Sequence, residues 1–135
     1  MVAAKLVLLY VVTAIIFFAI DILWLGVIAK DFYHRHLGRF FGERVNWTAA
    51  SIFYSLYILG IMIFAILPGI SDASLARTVI LGVLYGLFTY ATYDLTNLAT
   101  LKDWPVKIVV VDILWGMVLC GLVSAGGFLV ATRFL

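Results

Sequence analysis

Charge is scarce in this sequence. Asp, Glu, Lys and Arg together make up 12% of its 135 residues, against about a quarter in a soluble domain. Hydrophobic residues make up 66% and the mean hydropathy is +1.19, far beyond what a greasy soluble core accounts for. Cysteine is nearly absent. Cys120 stands alone in an apolar run, so no disulfide can form within the chain and no zinc-ligand spacing exists; it reads as a small packing residue. The net charge of +2 is too small to mark a nucleic-acid partner. Alternation of apolar and polar residues is missing as well, which excludes a membrane β-barrel.

What is present is four long apolar runs, each near the ~20 residues a spanning helix needs. They cover about 5–29, 47–67, 77–100 and 106–132, with Pro68-Gly69 expected to close the second. The fold class is therefore an all-α, polytopic four-transmembrane-helix bundle forming a single domain over 1–135. Helices satisfy their own backbone hydrogen bonds in hydrocarbon. The first run contains Asp21 and leads into a charged loop instead of a small-residue cleavage site, so it is expected to be a retained helix, not a cleaved signal.

Basic residues set the expected topology. The loop between the first two helices carries Lys30, Arg35, Arg39 and Arg44, and that between the last two carries Lys102 and Lys107. The opposite face has Lys5, Arg77 and Arg133. Six against three places the basic loops in the cytoplasm and both termini outside. Trp47 and Trp104, at helix ends on the basic face, are expected to be interfacial anchors. In the first loop Tyr33, Leu37, Phe40 and Phe41 recur at helical spacing, with His34, Arg35 and Arg39 mostly elsewhere on the wheel. A short helix lying on the membrane surface is expected, its Arg35, Arg39 and Arg44 meeting lipid headgroups. His34-x-His36 reads as polar surface and no metal site is expected. The Asn46-Trp47-Thr48 sequon sits at a helix mouth on the inner side and reads as accidental.

Three aspartates interrupt the apolar runs: Asp21, Asp94 and Asp112. An ionised residue at mid-helix costs about 2.5–3.5 kcal/mol on insertion scales, so such residues are rare and usually functional. Asp21 lies nine residues before Lys30, Asp94 eight before Lys102, and Asp112 five after Lys107. At about 1.5 Å of rise per residue, all three fall roughly 8–13 Å in from the basic face. Ser51 and Ser55 are expected in the same layer, and Asn97 shares a helical face with Asp94. In the third helix Gly82, Gly86, Tyr90, Asp94 and Asn97 form one stripe that begins with a close-packing glycine pair. Gly116, Cys120 and Ser124 form a comparable stripe in the fourth. The segment Asp21-Ile22-Leu23-Trp24 returns as Asp112-Ile113-Leu114-Trp115, setting a titratable group and an aromatic ring on one face of each of two oppositely directed helices.

The stretch Tyr93-Asp94-Leu95-Thr96-Asn97-Leu98-Ala99-Thr100-Leu101-Lys102-Asp103-Trp104-Pro105, followed by Val111-Asp112-Ile113-Leu114-Trp115-Gly116, resembles a family of predicted bacterial membrane proteins known as domain of unknown function twenty-one seventy-seven. The resemblance extends over nearly the whole chain, Asp21 to Trp24 included. It implies a small four-helix protein of the bacterial inner membrane and brings no activity or catalytic residues with it.

Three functions compete. A proton-linked transporter or small-molecule binding protein would use Asp21, Asp94, Asn97 and Asp112, walled by Trp24, Trp115 and Tyr90. A carboxylate in low dielectric tends to hold its proton, and neighbouring carboxylates strengthen that tendency. Four helices offer a small pathway, so a homodimer is expected, with a small hydrophobic or lipid ligand. A membrane-embedded enzyme acting on a lipid or quinone would use Asp94 or Asp112 as general acid or base, without any nucleophile–base pair or cofactor fingerprint in support. In a structural or assembly subunit the acids would simply hydrogen-bond between helices. Composition and spacing identify no cofactor.

Overall fold

The computed structural model describes all of residues 1–135. Four helices are long and apolar enough to cross a membrane: Ala3–Ile28, Trp47–Ser71, Leu75–Thr100 and Val106–Phe134. In chain order, α1 (Ala3–Leu23) runs into a π turn at Trp24–Ile28, and α2 (Lys30–Leu37) is followed by a 3-10 turn at Gly38–Phe40. Then α3 (Trp47–Ile61), a π turn at Met62–Ile66 and α4 (Leu67–Ser71) form one continuous rod, followed by α5 (Leu75–Thr100) and α6 (Val106–Phe134).

Local chemistry sets the helix starts. The Asn46 side chain accepts the Ala49 N–H at 3.0 Å and the Ser74 hydroxyl accepts the Arg77 N–H at 3.1 Å, each relieving an orphan donor of the first turn. The second span differs from expectation at its end, since Pro68-Gly69 does not close it and helix continues to Ser71. A proline inside a helix removes one ladder donor, and the wider π turn immediately before it absorbs the defect. Gly69 is needed there because a Cβ would run into Thr78 of α5.

The tightest packing joins α5 to α6. The two small-residue stripes face one another: a Cβ on Gly82 would strike Ser124 and the Cys120 carbonyl, and one on Gly86 would strike the Gly116 backbone. Leu9 and Phe17 of α1, Ile58 and Ile61 of α3, Ile66, and Leu119, Cys120 and Val123 of α6 form the main core. At the basic end α3 and α5 part, leaving a gap bordered by Phe53, Tyr57, Phe88 and Thr89.

A second core changes the expected role of the first loop. Tyr33 and Leu37 of α2 are buried against Trp104, Ile108 and Val109. The apolar face of α2 thus caps the basic end of the bundle; it does not lie against lipid. Trp104 differs from its expected anchor role for the same reason, being 7% exposed beneath Phe40, whereas Trp47 is 72% exposed. The 103–105 turn gives this cap its floor, and Arg39 fastens it by donating to the Asp103 carbonyl.

Candidate functional site

The three aspartates lie toward the basic end of the helices, each delivered by a different rod. Asp21 ends the buried stripe Leu9, Thr13, Phe17, Asp21 of α1. Asp94 ends the stripe Thr78, Gly82, Gly86, Asp94 of α5. Asp112 lies in the second turn of α6. Because Gly86 and Gly116, two turns from Asp94 and one turn from Asp112, bring α5 and α6 into backbone contact, Asp94 and Asp112 come within hydrogen-bonding reach of each other.

The two Asp-Ile-Leu-Trp segments interlock. The Trp115 indole N–H donates to Asp21 Oδ1 at 3.2 Å. The Trp24 indole N–H donates to the Tyr33 hydroxyl at 3.2 Å, and that hydroxyl donates to Asp112 Oδ1 at 2.7 Å. Each aspartate therefore receives, directly or through one phenol, the indole of the other segment. The two indoles stack 4.4 Å apart at 10°. Tyr33 lies in α2, outside the spanning helices. Burial, and secondarily the negative charge of Asp112, raises its phenol above the ordinary tyrosine range, so it remains a donor at physiological pH.

Asp94 is unusual. It is 0% exposed, and neither carboxyl oxygen has a donor partner. Asp112, the carboxyl group beside it, is an acceptor when ionised. Two carboxyl groups so placed can hydrogen-bond to each other only when one of them holds a proton.

In front of Asp21 and Asp112 opens a cavity of about 910 Å³, in the range of small-molecule sites. Its walls are aromatic: Phe53, Tyr54 and Tyr57 from α3, Phe88, Tyr90 and Tyr93 from α5, and Trp115 from α6. Tyr33, His34 and Leu37 of α2 form its basic-side edge. The Tyr57 hydroxyl is 2.7 Å from Thr89 Oγ1 and 3.2 Å from Cys120 Sγ, which ties the rear of the cavity across three helices.

A family model described as Predicted membrane protein (DUF2177) matches residues 6–129. The chain belongs to that family. The matched residues take in the whole cavity and all three aspartates. No curated protein and no solved structure matches the chain.

Other expected site residues fall as follows. Tyr90 lies against Gly116 and lines the cavity. Asn97 is half-buried one turn below Asp94, beside Tyr93. Ser51 and Ser55 do not join the polar layer. Both are exposed and border a separate cleft with Tyr10, Ala14 and Trp47, and α3 contributes tyrosines to the cavity instead. A serine in an apolar helix has backbone carbonyls close by and need not seek the bundle interior. Arg35 and Arg44 are exposed on the basic side, while Arg39 is engaged by the Asp103 carbonyl and lies 4.9 Å over Phe40. No three His, Cys, Asp or Glu side chains converge as metal ligands.

Sequence reasoning missed Tyr33, Tyr54 and Tyr57 as site residues. Tyr54 and Tyr57 left a readable signal, two tyrosines three apart in a largely apolar run. Tyr33 left none, because a tyrosine in a basic loop looks the same whether it anchors to lipid or folds inward.

Proposed function

We propose that this protein takes a small hydrophobic molecule sideways from the bilayer into the aromatic cavity, and that the Asp94–Asp112 pair links its binding or passage to a proton. The observation that carries this reading is the placing of the cavity. It is of ligand size, apolar and aromatic residues of α3 and α5 border it, and the carboxyl groups of Asp21 and Asp112 line it. Apolar walls with a few convergent polar groups are the usual composition of a ligand site. Asp94, whose oxygens have no donor, supports the proton link. The setting is the bacterial inner membrane, with α2 and its basic residues on the cytoplasmic side and both termini outside. Movement across the whole bilayer by so few helices calls for a second copy, and we take a homodimer as the transporting unit.

The indole of Trp115 lines the cavity, so its fluorescence provides the test. A bromophenol added to the protein in lipid nanodiscs should quench tryptophan emission saturably. Filling the mouth through Thr92→Phe should remove the saturable part, and Trp115→Phe should remove most of the signal. Linear, unsaturable quenching that is equal in wild-type protein and Thr92→Phe would overturn the reading.

A further inference from the structure

Resting on the reading of the cavity as a ligand site, the charges around it decide what polar group the ligand carries. Asp21 and Asp112 line the floor and no Lys or Arg lines any part of the cavity; His34 at the edge is its one basic residue. The titratable groups facing Asp112 are Asp21 from α1, Tyr33 from α2, and Tyr90, Tyr93 and Asp94 from α5. Across the cavity α3 presents tyrosines. None of these carries a positive charge. An anionic head would add further negative charge beside Asp21 and Asp112, and an acceptor-only head would find no partner in their carboxylates. What the floor lacks is a cation, and behind it the oxygens of the fully buried Asp94 have no donor.

The walls favour the same partner. The faces of Tyr90, Tyr57, Phe88 and Trp115 carry negative quadrupole charge and attract a cation held within about 6 Å of the ring. Aromatic walls also accept large apolar substituents, which a strongly hydrated inorganic ion does not offer. Thus the charge of the floor and the surface of the walls point to one ligand class.

We propose that the cavity binds a lipophilic organic cation, a protonated amine or quaternary ammonium or phosphonium bearing apolar groups, whose charge rests against Asp112 at the cavity floor and displaces the proton that Asp112 shares with Asp94 behind it. The proton leaves toward the water on the basic face, and the apolar groups occupy the aromatic walls. Charge is balanced, with one cation in and one proton out.

The test uses the full chain in nanodiscs of zwitterionic phosphatidylcholine, so that anionic lipid does not concentrate the probe. Calorimetry compares tetraphenylphosphonium with neutral triphenylphosphine oxide, in two buffers of different ionisation enthalpy to count protons. The expected result is saturable binding of the cation about tenfold or more tighter than that of the oxide, with proton release near neutral pH and weaker binding as pH falls. Asp112→Asn should erase that preference while leaving oxide binding unchanged. Asp94→Asn, which preserves shape and supplies a donor, should keep cation binding but abolish proton release, so the proposal stays testable if Asp112→Asn fails to fold. Equal binding of cation and oxide, indifferent to both substitutions, would overturn the cation while leaving the apolar-ligand reading standing. Binding of neither probe would overturn both. Cation binding without proton release in wild-type protein would overturn the exchange.

Discussion

At the scale of residues, a buried acid and an exposed one behave differently although they are the same amino acid. Asp94 is 0% exposed beside Asp112, whereas Asp72 is an exposed partner of Arg77 at 2.8 Å. A surface ion pair contributes little, and Asp72→Ala should change stability by less than about 0.5 kcal/mol. Asp94→Ala removes the carboxyl beside Asp112 and leaves a void against α6. It should cost about 1–2 kcal/mol, read as a lower midpoint of thermal unfolding in detergent, with Asp94→Asn close to wild type. Equal tolerance of Asp94→Ala and Asp72→Ala would contradict an internal polar site. The residue scale is also where the sequence was least legible. Asp21, Asp94 and Asp112 stand out because charge is rare in apolar runs. That Tyr33 bridges Trp24 and Asp112 was not readable, since Tyr33 and Asp112 are 79 positions apart and nothing local distinguishes an inward tyrosine from a lipid-facing one.

Among elements, packing of α5 on α6 was readable and the seating of α2 was not. Gly82 and Gly86, and Gly116, Cys120 and Ser124, recur at a spacing that keeps small residues on one helical face, and that periodicity is a property of each helix alone. The structure sets the stripes face to face. For α2 the wheel showed an apolar face but not what covers it, and both lipid and the Trp104–Ile108–Val109 surface satisfy the same pattern. Two glycines separate structural need from permissiveness. At Gly86 a side chain would collide with the Gly116 backbone, so Gly86→Val should force the helices apart at a cost of about 3 kcal/mol or more, seen as loss of folded protein on size exclusion. At Gly38 nothing lies within 4 Å of a Cβ and the backbone is already helical, so Gly38→Ala should be neutral or stabilising by about 0.4–1 kcal/mol. The reverse outcome would show that α5 and α6 do not meet along their glycines.

For the whole molecule, composition alone indicated four spans, and the boundaries hold within a few residues except beyond Pro68. Orientation rests on the distribution of Lys and Arg. Cys120 is fully buried, so an impermeant thiol reagent should modify only a cysteine introduced on the surface. Arg44→Cys should resist labelling in intact cells and react after permeabilisation, while Lys5→Cys should react in intact cells. Labelling of Arg44→Cys from outside would invert the topology, but it would leave the cavity and its acids unchanged, because their common depth is measured from the basic face.

The central claim is a shared proton on Asp94 and Asp112, and the carboxyl stretch in the infrared spectrum of the protein in lipid reports it most directly. At pH 7 the account predicts a protonated-carboxyl band that disappears in both Asp94→Asn and Asp112→Asn and survives Asp21→Asn, whose side chain accepts from Trp115 and lies outside the pair. A spectrum at pH 7 with every carboxyl ionised would contradict the account.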